Sequence, residues 1–314
     1  MVTPERGTVA RMRYSVWPTN DRPWAEVLEV ARWADEAGWH GLWYADHYMP
    51  NTDDGSVAGG PALECWSVLG AVAATTTNLR IGPLVSPTSV HHPVVLANRA
   101  CTMDDVSGGR FTLGMGAGWQ VNEHRAYGIE LQDPGPRVSR FAEAIEIVHR
   151  MLREDRVTFH GEWYRLTDAP CEPKPVQDPL PIVVGTGSQR MLRLTARWAQ
   201  QWNTWGDAAR VRRLSEAFLT ACDAERRDPA SMWRSAQALV LFADDRATAD
   251  RLRERALPER SLIGTPAQIA DEISQIAALG TDEFIVPGRG AGPTPEARRE
   301  TYERFWTEVV PNVG

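Results

Sequence analysis

The sequence predicts an α/β fold, an eight-stranded (β/α)₈ TIM barrel with an insertion after the fourth helix. Three observations lead there. Short apolar runs alternate with longer amphipathic segments, and the alternation occurs eight times along the chain. Strands that alternate with helices imply a parallel sheet, and eight units in 314 residues fit a closed barrel better than an open sheet. No internal repeat of solenoid period interrupts the pattern. The whole chain, residues 1–314, therefore reads as one domain.

The elements follow in order. The first strand is Met12–Trp17, ended by Pro18. Pro23 opens a helix through Ala37, with Val27, Val30, Ala31 and Ala34 at helical spacing and Gly38 as its stop. The second strand is Gly41–Ala45, and the loop NTDDGSVAGGP leads to a helix over Ala62–Thr75. The third strand is Leu79–Leu84, and Pro93 opens the helix that ends near Ser107-Gly108-Gly109. The fourth strand is Arg110–Met115, followed by a long loop and the helix Arg137–Arg153. Residues 155–180 break the rhythm. VTFHGEWYRL reads as a hairpin and CEPKPVQDPLP as an extended proline-rich tract, and the alternation resumes straight afterwards. The fifth and sixth strands are Pro181–Val184 and Trp202–Trp205, each followed by a helix, Ser188–Ala199 and Ala208–Arg226. The seventh strand is Ala236–Phe242, followed by a polar charged stretch and the helix Pro266–Leu279. The eighth is Glu283–Val286, with a last helix over Pro295–Val309.

Composition excludes several classes. A formal net charge of −7 argues against nucleic acid or an anionic membrane surface as partner, since both need a basic face. No window approaches 18 consecutive apolar residues, and the N-terminus MVTPERGTVARMRYS has no apolar leader core, so a cytoplasmic protein is expected. Cys65, Cys101, Cys171 and Cys222 form no CxxC pair and read as reduced thiols. The 13 tryptophans suit both core packing and an aromatic pocket around a flat ring.

In such barrels the active site lies at the C-terminal ends of the strands. Trp17 follows the first strand, Asp46, His47 and Tyr48 the second, Ser86 the third, and GMGAGWQVNEH the fourth. The fifth is followed by Gly185-Thr186-Gly187-Ser188, a short glycine loop opening a helix. Its backbone N–H groups and the helix dipole favour an anion such as a phosphate. It is neither a GxGxxG fingerprint nor a Walker loop. His47 is the best proton-transfer candidate, because imidazole titrates near neutrality. His91-His92-Pro93 reads as a loop entering a helix. No set of converging ligands suggests a metal, and no GxSxG elbow supports nucleophilic catalysis.

Several stretches together resemble the bacterial-luciferase-like oxidoreductase family: GWHGLWYADH, LRIGPLVSP, HHPVVLANRACTMDDVSGGRFTLGMGAGWQVNEHRAYGI, PIVVGTGSQRMLRLTARWAQQWN and LIGTPAQIADEISQIAALGTDEFIVP. The resemblance implies the barrel, a homodimer packed through early helices, and a cofactor at the C-terminal mouth, either coenzyme F420 or FMN. The Asp46-His47 pair and GAGWQVNEHRAYG resemble the F420-dependent branch. It implies that His47 moves a proton beside the reactive ring, with Asp46, Ser86, Asn122 and Gly185–Ser188 holding the cofactor. It also implies a bulge at Pro83-Leu84, often with a non-proline cis peptide, behind the ring. Trp17, Tyr48, Trp119 and Glu123 form the substrate side, and Arg190, Arg193 and Arg289 suit an anionic cofactor tail. Two departures stand out. Sugar-phosphate dehydrogenases of the branch carry a glutamate where Trp119 stands, which argues against that reaction, and the spacing does not force Glu123 inward. Gln200-Gln201-Trp202 replaces an acidic residue often found before the sixth strand. The expected activity is hydride transfer between F420 and a small organic substrate. The alternatives are an FMN monooxygenase served by a separate reductase, or a non-catalytic flavin carrier.

Overall fold

Eight parallel strands form the barrel: β1 (Arg13–Trp17), β2 (Gly41–Tyr44), β3 (Arg80–Pro83), β4 (Leu113–Gly116), β5 (Ile182–Gly185), β6 (Gln201–Trp205), β7 (Trp233–Gln237) and β8 (Glu283–Pro287). The computed structural model describes residues 12–52, 54–257 and 259–314. The polar N-terminal segment and Asp53 of the glycine-rich loop lie outside the described residues. Hydrogen bonding runs β3-β2-β1-β8-β7-β6-β5-β4, with the two-residue strand Ser86–Pro87 beside β4. The ring closes where Ile81 donates to the Arg110 carbonyl at 3.0 Å and accepts from Thr112 N–H at 2.9 Å. Closure demands glycine at two positions. A Cβ at Gly82 or Gly114 would collide with the carbonyl oxygen of Thr112 or Pro83.

The helices are α1 (Trp24–Ala37), α2 (Cys65–Thr75), α3 (Pro93–Val106), α4 (Val121–Tyr127), α5 (Pro134–Met151), α6 (Gln189–Trp198), α7 (Ala208–Ala224), α8 (Arg246–Arg255), α9 (Pro266–Ala278) and α10 (Pro295–Arg304). Local chemistry sets their ends. α1 buries the four apolar positions named above and stops at Gly38, whose φ of 84° is left-handed. Glu64 caps α2 by accepting from Trp66 and Ser67 N–H, and His92 caps α3 ahead of Pro93, as a helix entry should. Thr265 and Gln268 form a reciprocal capping box on α9.

The structure departs from the sequence reading in several places. The apolar run read as one seventh strand is two. β7 stays in the barrel, and Leu239–Phe242 leaves it to pair in parallel with Ser261–Gly264. The charged stretch after it holds α8, in which Ala249 is the buried residue, so no apolar stripe announced a helix. The long loop after the fourth strand contains α4, α5 starts at Pro134 rather than Arg137, and the fourth strand begins at Leu113 rather than Arg110. Helix α10 gives way to a π turn over Phe305–Val309. The hairpin in residues 155–180 is present as Val157–His160 against Arg165–Ala169. Among the described residues no helix is long and apolar enough to cross a membrane.

At the N-terminal end of the barrel, buried Glu283 accepts from Ser15 Oγ at 2.5 Å, Trp43 Nε1 at 2.8 Å and Trp233 Nε1 at 3.1 Å. Both oxygens of Glu283 are thus satisfied, and the opposite end of the barrel carries the cleft.

Candidate active site

A cleft of about 580 Å³ opens where the strands end, lined from β1 by Trp17, from β2 by His47, from the turn after β3 by Leu84 and Val85, and from β5 by Gly185, Thr186 and Gly187. This location fits the rule for parallel barrels, in which the loops at the carboxyl ends build the site. Trp119 also lines it, 57% exposed, with its ring edge-on to His47 at 5.4 Å. Trp17 and Trp205 meet at 5.5 Å between ring centroids.

His47 is held from behind. Its Nδ1 lies 2.9 Å from Oε1 of Glu123, and Oε2 of the same carboxylate accepts from Tyr48 N–H at 3.0 Å. Glu123 is 2% exposed on the first turn of α4, so it points inward and engages the histidine rather than facing a substrate. A carboxylate at Nδ1 fixes that nitrogen as the hydrogen-bearing one and leaves Nε2 as the free acid–base atom. Tyr48 turns away from the cleft. Its hydroxyl faces His91 Nε2 at 3.5 Å, and burial pushes its acidity well down.

Asp46 and Ser86 form a buried cluster beneath the turn. Asp46 Oδ2 accepts from Ser86 Oγ at 2.5 Å, His91 Nε2 at 2.9 Å and Trp66 Nε1 at 3.2 Å. Burial alone would raise the Asp46 carboxyl, but the bonds from His91 and Ser86 outweigh it and hold the group below the ordinary range. His91, read from sequence as part of a helix entry, is thus a member of this cluster. The nonproline cis peptide is Leu84–Val85, one residue beyond the expected Pro83-Leu84. Pro83 ends β3, and the cis turn presents Leu84 and Val85 to the cleft.

Asn122 is fully buried. It donates to the Pro50 carbonyl at 2.9 Å and accepts from Glu123 N–H at 3.0 Å, so it braces the wall that Pro50 lines. At the glycine loop, Thr186 N–H reaches the Asn203 carbonyl at 3.1 Å and Trp202 Nε1 donates to the Thr186 carbonyl at 2.9 Å. Ser188 precedes α6 without capping it, unlike the capped α2, α3 and α9. The first-turn amides of α6 therefore have no side-chain acceptor, which suits an anion. Arg190 and Arg193 are engaged elsewhere, with the Gly135 carbonyl at 3.2 Å and Glu225 at 2.8 Å, whereas Arg289 lines the cleft. Arg210, in the first turn of α7, also lines it, as do Leu257 and Arg260, which come from the stretch before the strand Ser261–Gly264 that the sequence pattern did not reveal. No group of three or more metal-ligating side chains occurs among the described residues.

The luciferase-like monooxygenase family profile matches residues 5–261. An F420-dependent glucose-6-phosphate dehydrogenase of Nakamurella multipartita is 34% identical over 181 residues, 57% of this chain and 52% of the relative. A 4-hydroxyprotoasukamycin monooxygenase of Streptomyces nodosus subsp. asukaensis is 34% identical over 161 residues, 51% of this chain and 41% of the relative. The matches thus span about half the length of these curated relatives, or less. The solved structure of an F420-dependent secondary alcohol dehydrogenase with an F420-acetone adduct superposes with a TM-score of 0.81 at 18% identity, covering 97% of this chain and 99% of that one. That likeness establishes the barrel. The profile match, extending over most of the sequence, places this chain in the luciferase-like monooxygenase family.

Proposed function

We propose that the protein is an oxidoreductase that uses coenzyme F420 to exchange a hydride with a small organic substrate. The observation that carries this reading is the histidine at the cleft wall, tied at Nδ1 to a buried carboxylate, in a cleft that Leu84 and Val85 also line. The residues fit such a group: apolar Leu84 and Val85 for a flat ring, and the uncapped N-terminus of α6 with Thr186 and Gly187 for a phosphate. When bound, F420 supplies hydride chemistry at its deazaflavin ring.

The protein's own residues do the rest. Val85 and Leu84 form an apolar backing, and the Asp46–Ser86–His91 cluster fixes the turn that presents them. His47 Nε2 takes or gives the proton that accompanies hydride transfer, and Glu123 keeps the ring in one tautomer and orientation. Trp119 and Met49 narrow the entrance beside His47 and limit water there. Trp119 stands where related sugar-phosphate dehydrogenases carry a glutamate, so a different substrate is expected. The reading treats residues 1–314 as one catalytic domain, with 155–180 as an insertion, acting as a cytoplasmic homodimer.

The test is turnover. Purified protein is incubated with F420 and a panel of secondary alcohols, and with reduced F420 and compounds bearing C=C or C=N bonds, following the deazaflavin absorbance. Wild type turns over at least one class, and His47→Ala loses turnover while still binding F420. Turnover only with reduced FMN and oxygen would replace the proposal with a two-component monooxygenase.

A further inference from the structure

The charge of the cleft has one sign. The chain carries a net charge of −7, yet among the described residues no aspartate or glutamate lines the cleft, whereas Arg210, Arg260 and Arg289 all do. Arg210 is neutralised by Glu259 at 3.2 Å. Arg260 and Arg289 form no ion pair with any described residue.

Their places in the barrel are specific. Arg289 lies two residues past β8, in a loop tied to β1 by Gly288 N–H donating to the Trp17 carbonyl at 2.8 Å. Arg260 immediately precedes the strand Ser261–Gly264, and its carbonyl accepts from Leu239 N–H at 2.9 Å, just beyond β7. Both therefore sit on the β7–β8–β1 arc of the mouth. His47, the cis turn and the glycine loop occupy the other arc, from β2 through β3 to β5. The Trp17–Trp205 pair adds an apolar aromatic surface between the arginines and the glycine-loop side.

We propose that the β7–β8–β1 arc is the substrate's half of the cleft, and that Arg260 and Arg289 hold an anionic group on it. The substrate class is an organic acid, carboxylate or phosphate, with an apolar or aromatic body. Each guanidinium group offers paired donors to an anion, and Trp17 and Trp205 offer an aromatic surface for the body. An open positive cleft in an acidic protein also concentrates and steers anions toward it. The inference rests on the F420 reading for the division of the mouth into two arcs. The same arginines facing the cofactor's own anionic end is the competing source of the same chemistry.

The test uses benzoate and its neutral counterpart benzamide as probes, titrated against tryptophan fluorescence with and without F420. The comparison protein is the double variant Arg260→Gln/Arg289→Gln, whose substituted side chains are exposed. Wild type binds benzoate at least about tenfold more tightly than benzamide, as charge-assisted bonds require. The double variant loses that preference and keeps its F420 affinity within about twofold, less than a single hydrogen bond is worth. Equal binding of the two probes by wild type overturns the inference. So does a double variant that retains the benzoate preference, or one that loses F420 affinity by about tenfold, the size of one charge-assisted bond, because its arginines then serve the cofactor. If F420 fails to bind at all, the cofactor reading falls, while the benzoate preference in cofactor-free protein still tests the arginines by themselves.

Discussion

Asp46→Asn probes the support beneath the site without touching the cleft surface. The Asp46 side chain is 1% exposed, and one of its oxygens accepts three hydrogen bonds, from Ser86, His91 and Trp66. Asparagine keeps the size and one oxygen but removes the charge. Charge-assisted bonds are about twice as strong as neutral ones, so three bonds that each lose half of roughly 1.5–3 kcal/mol cost about 2–4 kcal/mol. The sign with pH follows from the depressed carboxyl. The folded value lies below the unfolded one, so the stabilisation is fully present above about pH 4 and is lost as pH falls through the folded value. The assay is thermal unfolding of both proteins by circular dichroism from pH 7 down to pH 3. The variant melts several degrees lower at pH 7, and the gap narrows as acid protonates Asp46 in the wild type. A gap independent of pH, or equal stability at pH 7, would refute the reasoning.

Three further outcomes follow from other contacts. Glu123→Gln lowers kcat about 10- to 100-fold with little change in KM, the value of one charge-assisted bond at the His47 ring, and a parallel rise in KM would show that Glu123 binds substrate instead. Glu26→Ala strips Arg298 of a bidentate partner at 2.6 and 2.7 Å, between α1 and α10; both side chains are largely buried, so stability falls by about 3–5 kcal/mol in urea unfolding. Trp202 stacks on Phe218 at 4.5 Å and also holds the Thr186 carbonyl, so Trp202→Phe keeps most of the packing but weakens F420 binding, measured by fluorescence titration.

The barrel was legible because its signals are local. Pro93, Pro266 and Pro295 stand at the first positions of α3, α9 and α10, and Gly38 takes a left-handed conformation that a following side chain would resist. The errors fall where a choice depends on distant partners. Ala238–Phe242 is apolar throughout, and nothing in it marks the point where the chain changes sheet. Helix α8 packs one buried alanine and otherwise faces solvent, so it lacks the period that reveals a helix. The site shows the same division. His47 and the glycine loop are candidates because they follow strand ends, and both line the cleft, whereas the cis peptide is expected from the family resemblance alone and lies one residue beyond the expected place. The pairing of His47 with Glu123 spans 76 positions and depends on α4, a seven-residue helix hidden in a glycine-flanked loop. Tyr48 follows His47 and is expected on the substrate side, but it lies in the loop four residues past β2, and its hydroxyl faces His91 instead.

The central claim is the identity of the cofactor, and parallel titrations of the purified protein with F420 and with FMN test it most directly. Quenching of tryptophan fluorescence reports binding, since Trp17, Trp119 and Trp205 line the cleft. The account predicts saturable, tight binding of F420 and weak binding of FMN. Tight FMN binding without F420 binding would contradict it.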